Sequence, residues 1–224
     1  MDLVLVELLD HEQGRELLMR ARPLSMRGFG LIELMVGITI LAILTLLAAP
    51  WFGDWTRNTR LRSAAETLRS DLQMARAEAI RRNTGTRLQF VTSLDAGCAL
   101  STSVAIWVVN ATLSQTPAGA CGSAPSATSA PYLIGRSPLE VSKSSDLVLT
   151  ATRSTVGFDA LGRQAATTNP TTSIAALTVQ LTSASGTCVA SGGSVRCLNV
   201  IVSPGGDSRI CDPARSGTTD PMTC

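Results

Sequence analysis

Between Phe29 and Ala49 the chain carries one charge, Glu33, in a run otherwise apolar or small. A helix needs about 20 such residues to cross a hydrocarbon layer about 30 Å thick, so this segment has the length of one membrane span. The acid is the part that needs explaining. A carboxylate inside a span costs about 2.5–3.5 kcal/mol on insertion scales and is kept where it gains a partner, here a cation on another chain. The plainer alternative is an uncleaved signal anchor whose Glu33 sits shallow enough to reach the headgroups.

The flanking residues narrow that choice. Arg27 and Gly28 lead into Phe29, Leu31-Ile32-Glu33-Leu34 follow, Glu33 is the fifth residue after the glycine and Pro50 the twenty-second. This pattern closely resembles the class III signal of type IV pilins and pseudopilins. The resemblance implies that a prepilin peptidase cuts between Gly28 and Phe29 on the cytoplasmic side and that the new Phe29 amine is N-methylated. It further implies that Glu33 pairs with the Phe29 amine of a neighbouring subunit as the span passes from the inner-membrane lipid into a filament. A buried carboxylate and a buried ammonium each become tolerable when they meet. Gly30 departs from the family, which has a hydroxyl residue there; it loosens the first helical turn and leaves the recognition intact.

Residues 1–28 read as the leader, although they begin with an apolar, acidic stretch. Translation from Met19 would give a short basic leader with Arg20, Arg22 and Arg27, in line with the positive-inside rule. The alternative is a genuine long leader opening with a small amphipathic helix. Either way this segment is expected to be absent from the working protein. It holds four of the 19 Lys and Arg and five of the 17 Asp and Glu, leaving 15 against 12, too near neutrality to announce a polyanion partner. The one histidine, His11, is in the leader, so the remainder lacks a histidine triad or a histidine zinc site. With no P-loop or Rossmann glycine pattern either, no enzyme, no metal and no cofactor are expected.

After Pro50 a helical period resumes. Leu61, Ala65, Leu68, Leu72, Ala75 and Ala79 recur at spacings of three and four, an apolar stripe on a helix from about Trp51 to Arg82 that wants a sheet to lie against. Pro50 lacks an amide for the ladder, so a kink or local melting is expected there. The opposite face, with Arg57, Arg60, Arg62, Arg69, Arg76, Arg81 and Arg82 against Asp54, Glu66, Asp71 and Glu78, reads as solvated, with pairs such as Glu78 and Arg82. Arg57, Arg60 and Arg62 also suit a cluster facing lipid headgroups or acidic neighbours.

Beyond Asn83-Thr84-Gly85 the period becomes two. Strands are predicted over Arg87–Thr92, Val104–Asn110, Leu139–Val141, Leu147–Ala151, Thr155–Asp159, Ala176–Leu181 and Val195–Val202, with a long loop over Ser114–Pro131 that has no obvious packing face. The fold class is therefore α+β: a long N-terminal helix, transmembrane in its first half, packed on a C-terminal antiparallel β domain. The divisions are leader 1–28, span 29–49, amphipathic helix 50–83 and β domain 84–224.

Six cysteines, Cys98, Cys121, Cys188, Cys197, Cys211 and Cys224, fall on the side of the span away from the basic leader, hence in the periplasm, where disulfides persist. Fifteen connectivities are open. Sequential pairing, Cys98 with Cys121, Cys188 with Cys197 and Cys211 with Cys224, is expected because each closes a local loop rich in turn residues.

Three stretches, LRSAAETLRSDLQMARAEAIRRN (61–83), VGFDALGR (156–163) and VIVSPGGDSRIC (200–211), resemble the GspH/FimT group of minor pilins and pseudopilins. The resemblance implies a non-catalytic filament subunit, single-pass in the inner membrane with its C-terminal domain in the periplasm, partnered by other pilin or pseudopilin subunits. Three roles compete: a minor pseudopilin of the type II secretion system serving protein export, a minor pilin of a type IV pilus, and a FimT-like DNA receptor for natural transformation. The last is similar to proteins with a C-terminal G-R-x-R pattern. Here the run is Gly206-Asp207-Ser208-Arg209, so only Arg209 matches and an acid stands beside it, which disfavours DNA as partner.

Overall fold

The computed structural model describes residues 30–114, 119–138, 141, 144–217 and 219–224. The chain divides into two units, Met1–Ala48 and Ala49–Cys224. Helix α1, Leu31–Arg82, begins in the first and ends in the second. In the first unit its side chains from Leu31 to Leu47 are exposed throughout. The Thr39 and Thr45 hydroxyls donate back to the Met35 and Leu41 carbonyls, so these two polar groups are satisfied within the helix. The backbone is helical through Pro50. Among the described residues no single helix is long and apolar enough to cross a membrane; Leu31–Leu47 taken with Phe52–Arg82 satisfies length and composition.

In the second unit α1 lies on a two-sheet core. Leu61, Ala65, Leu68, Leu72, Ala75 and Ala79 are all buried, as their spacing predicts, and Ala64 joins them. Four alanines and three leucines make up this buried face, and each fully buried leucine contributes about 1.5–3 kcal/mol relative to exposure. The helix stops in a Schellman motif: Thr84 N–H donates to Ala79 O, Asn83 N–H to Ile80 O, and Asn83 takes a φ of 50°.

Among the described residues eleven antiparallel strands follow: β1 Thr86–Phe90, β2 Trp107–Asn110, β3 Leu133–Arg136, β4 Leu147–Ala151, β5 Thr155–Phe158, β6 Gln164–Ala165, β7 Thr167–Thr168, β8 Thr171–Thr172, β9 Leu177–Ser183, β10 Leu198–Val202 and β11 Ser208–Cys211. One sheet has the order β3-β2-β1-β5-β6, another β11-β10-β9-β4, and β7 and β8 form a hairpin. Strand β9 alternates buried and exposed or half-buried positions, whereas β1 is buried at every residue. The cause is that Arg87 on its second face reaches the carbonyls of Leu113 and Asn169, tying a loop and the β7–β8 turn over the sheet. Its guanidinium has no carboxylate partner among the described residues, and burial lowers its pKa to about 10.

Several elements depart from expectation. Strand β2 begins at Trp107 rather than Val104, β10 at Leu198 rather than Val195, and β9 runs on to Ser183. Leu139 and Glu140 of one predicted strand lie outside the described residues, as do 115–118 of the long loop. That loop does have a packing point: Cys121 is fully buried with Val91, Cys98, Val108 and Leu133 in a second apolar cluster. The six cysteines pair as Cys98–Cys121, Cys188–Cys197 and Cys211–Cys224, with Cα separations of 6.1, 5.4 and 5.1 Å.

Candidate functional site

The residues singled out at the N-terminus divide between described and undescribed. Gly28 and Phe29 lie outside the described residues, as does the leader with Met19 and His11. Glu33 sits in the first turn of α1, where Leu34 N–H donates to Gly30 O. It is exposed and makes no ion pair among the described residues. Its neighbours Leu31 and Ile32 are 79% and 77% exposed. A carboxylate at a helix N-terminus gains about 0.3–1 kcal/mol from the dipole, which is small against the cost of burying it unpaired. The arrangement is one acid at the head of an uncovered apolar helix, and it suits packing against other helices.

Further along α1 the polar face is only partly solvated. Glu78 accepts from Arg81 and Arg82, and these bonds lower its carboxyl to about 2. Arg57 reaches Asp54 and the Ser185 hydroxyl, while Arg62 pairs with Glu66, so of Arg57, Arg60 and Arg62 only Arg60 lacks a bonded partner among the described residues. Asp71 corrects the sequence reading. It accepts the indole N–H of Trp107 at 2.7 Å, and burial pushes its carboxyl up while that hydrogen bond opposes the rise.

A raised carboxyl pKa means the folded state holds the proton more tightly than the unfolded one, so stability falls as pH climbs from the ordinary value of 3.8 through the folded value. Asp71→Asn keeps a carbonyl acceptor for the indole and removes the buried charge. It is expected to raise the urea midpoint at about pH 7 and to match the parent at about pH 3. An equal gain at both pH values would refute the charge explanation.

The two C-terminal stretches noted in the sequence meet in space. Asp159 Oδ1 accepts the Leu161 and Arg163 amides, closing the turn between β5 and β6. Gly162 there has φ 75° and Gly206, in the turn between β10 and β11, has φ 86°. A Cβ at Gly206 would come within 2.0 Å of the Gly162 carbonyl oxygen, so only glycine permits this contact. Gln164 ties the turns together, its amide donating to Pro204 O and its side chain to Val202 O. Asp207 pairs with Arg76 of α1 at 2.7 Å. The acid in place of a first arginine is thus a contact between helix and turn.

Arg209 lies on a different surface from the Asp207 contact. It lines a groove of about 730 Å³ between α1 and β11, together with Arg196 and Arg215, and with Arg62 and Arg69 from the helix. Arg163, in the turn between β5 and β6, pairs with Asp159. The helical arginines were missed because linear spacing does not reveal which helix face meets a distant strand edge.

A methylation-type N-terminus, a long helix and an antiparallel β domain define a subunit of the type IV pilin superfamily. The prokaryotic N-terminal methylation motif matches residues 24–49. The family described as type II transport protein GspH matches residues 64–206, and the chain belongs to that family. Two crystal structures of the type IV minor pilin FimU from Pseudomonas aeruginosa are similar at 16% identity. The first covers 73% of this chain and 97% of that one with a TM-score of 0.44, the second 70% and 98% with 0.41. No curated protein sequence matches the chain.

Proposed function

We propose that this chain is a minor pseudopilin of a type II secretion system, a non-catalytic subunit that enters a short filament with other pseudopilins and serves protein export. The observation that carries this is the family match over 64–206 joined to the methylation motif at 24–49. In this reading Gly28 is the last leader residue and a prepilin peptidase releases Phe29, which is then N-methylated. Glu33 supplies the counter-charge for the Phe29 amine of the next subunit. The exposed apolar helix beyond it is anchored in the inner membrane before assembly and covered by neighbouring helices afterwards. Pro50 lies inside α1 and allows a local loss of helical bonding when the span is drawn out of lipid. The disulfide-linked β domain belongs in the periplasm.

The reading is tested by mass spectrometry of cells carrying a tagged copy, after mild cross-linking, with sheared surface filaments and the remaining envelope analysed separately. A methylated Phe29 N-terminus in the envelope, cross-linked to other pseudopilins, is the expected result. Recovery with the major pilin in sheared filaments would place the chain in a pilus instead, and an unprocessed N-terminus would overturn both.

A further inference from the structure

The groove between α1 and β11 combines unpaired positive charge with a strand edge that is open at its centre and bonded at both ends. Arg62 and Arg215 in its lining are neutralised by Glu66 and by Asp212 and Asp220. Arg69, Arg196 and Arg209 have no carboxylate partner among the described residues: Arg69 donates to Ser208 O, Arg209 to Thr223 O, and the Arg196 guanidinium makes no bond. Trp55, 63% exposed, and Met222 give the same groove an apolar surface.

Strand β11 is the edge of its sheet. Its register pairs Ile201 with Arg209 and Asn199 with Cys211, and Ser203 N–H donates to Asp207 O in the turn. In an antiparallel ladder only every second residue exchanges bonds with its partner strand, so 207, 209 and 211 face β10 while 208, 210 and 212 point their amides and carbonyls outward. Two outward groups confirm the parity, since Ser208 O accepts from Arg69 and Asp212 N–H donates to Met222 O. The amide and carbonyl of Ile210 and the amide of Ser208 remain open among the described residues. Unpaired edge groups are a template for an added strand.

We propose that this groove docks an extended acidic segment of a partner protein, which adds a short strand to β11 through Ile210 and places carboxylates against Arg69, Arg196 and Arg209. A peptide is favoured over a nucleic acid because the open backbone groups of β11 match another peptide backbone, which a sugar-phosphate chain does not offer. The site lies wholly in the second unit, so it stands whether the filament is a secretion or a pilus one.

The test uses the full chain in detergent micelles and a fluorescent peptide of alternating Glu and Val, compared with its Lys and Val counterpart. Saturable binding of the acidic peptide, at least about tenfold tighter than the basic one, is expected. Slowed hydrogen exchange at the Ile210 amide should accompany it, and the paired changes Arg196→Glu and Arg209→Glu should weaken it by about tenfold or more. Circular dichroism of that variant checks that it is folded. No binding, equal binding of the basic peptide, or binding without protection of Ile210 overturns the proposal. So does a DNA duplex that binds more tightly and displaces the peptide, which would make the groove a nucleic-acid site.

Discussion

Glu33→Val is expected to leave the chain synthesised, processed at Phe29 and inserted in the membrane, while its recovery in cross-linked filament falls by two orders of magnitude or more. The carboxylate is exposed and makes no ion pair among the described residues, at the head of an uncovered apolar helix. Under the proposed function its partner is the amine of a neighbour, buried once the helices pack. Removing one member of a buried pair leaves the other charge uncompensated, at about 3–5 kcal/mol, and each 1.4 kcal/mol is a factor of ten. Glu33→Gln should do nearly as badly, because it keeps the shape and loses the charge. Near-normal incorporation of the valine variant would show that the acid serves membrane insertion or processing alone.

Trp107→Ala is expected to destabilise the β domain by about 5 kcal/mol, enough to unfold much of it at ordinary temperature. Trp107 is fully buried on β2, packs edge to face with Phe90 at 6.5 Å between ring centroids, and donates its indole N–H to Asp71. Truncating a buried tryptophan costs about 3–5 kcal/mol, and leaving the Asp71 carboxylate without its donor adds about 1–3. Trp107→Phe should lose less, since it keeps most of the packing, and adding Asp71→Asn should recover part of that loss. Urea unfolding of the parent, the single variants and the double variant measures both. If Asp71→Asn gains no more in the Trp107→Phe background than in the parent, the hydrogen bond carries no share of the stability.

The helix and its buried face were legible because a 3.6 period survives any environment that covers one side. Residues Leu61 to Ala79 give that period without a break. Strands β4 and β5 were also legible, as short β-branched runs bounded by polar turn residues. Strands β3 and β11 were not: Leu-Ile-Gly-Arg and Ser-Arg-Ile-Cys carry one β-branched residue each, beside a glycine or a charge, so neither reads as a strand-forming run. Asp71 was misread, and the burial of Arg87 went unread, for a related reason. A polar residue in a polar stretch looks solvated until a distant indole or loop covers it, and that pairing is set by topology. The groove combines both difficulties, because its arginines come from segments more than a hundred positions apart and meet only when β11 settles beside α1.

The covalent staples have a mechanical consequence. They span 23, 9 and 13 positions, each within the β domain, and none fastens α1 to a sheet. Tension applied along a subunit's helix is therefore resisted by the alanine and leucine seam and by side-chain links such as Arg76 to Asp207. Seams of this kind yield and re-form without bond breakage. A subunit strained in this way can slip at its spine and recover, while its sheets hold their shape and keep the β11 edge on display.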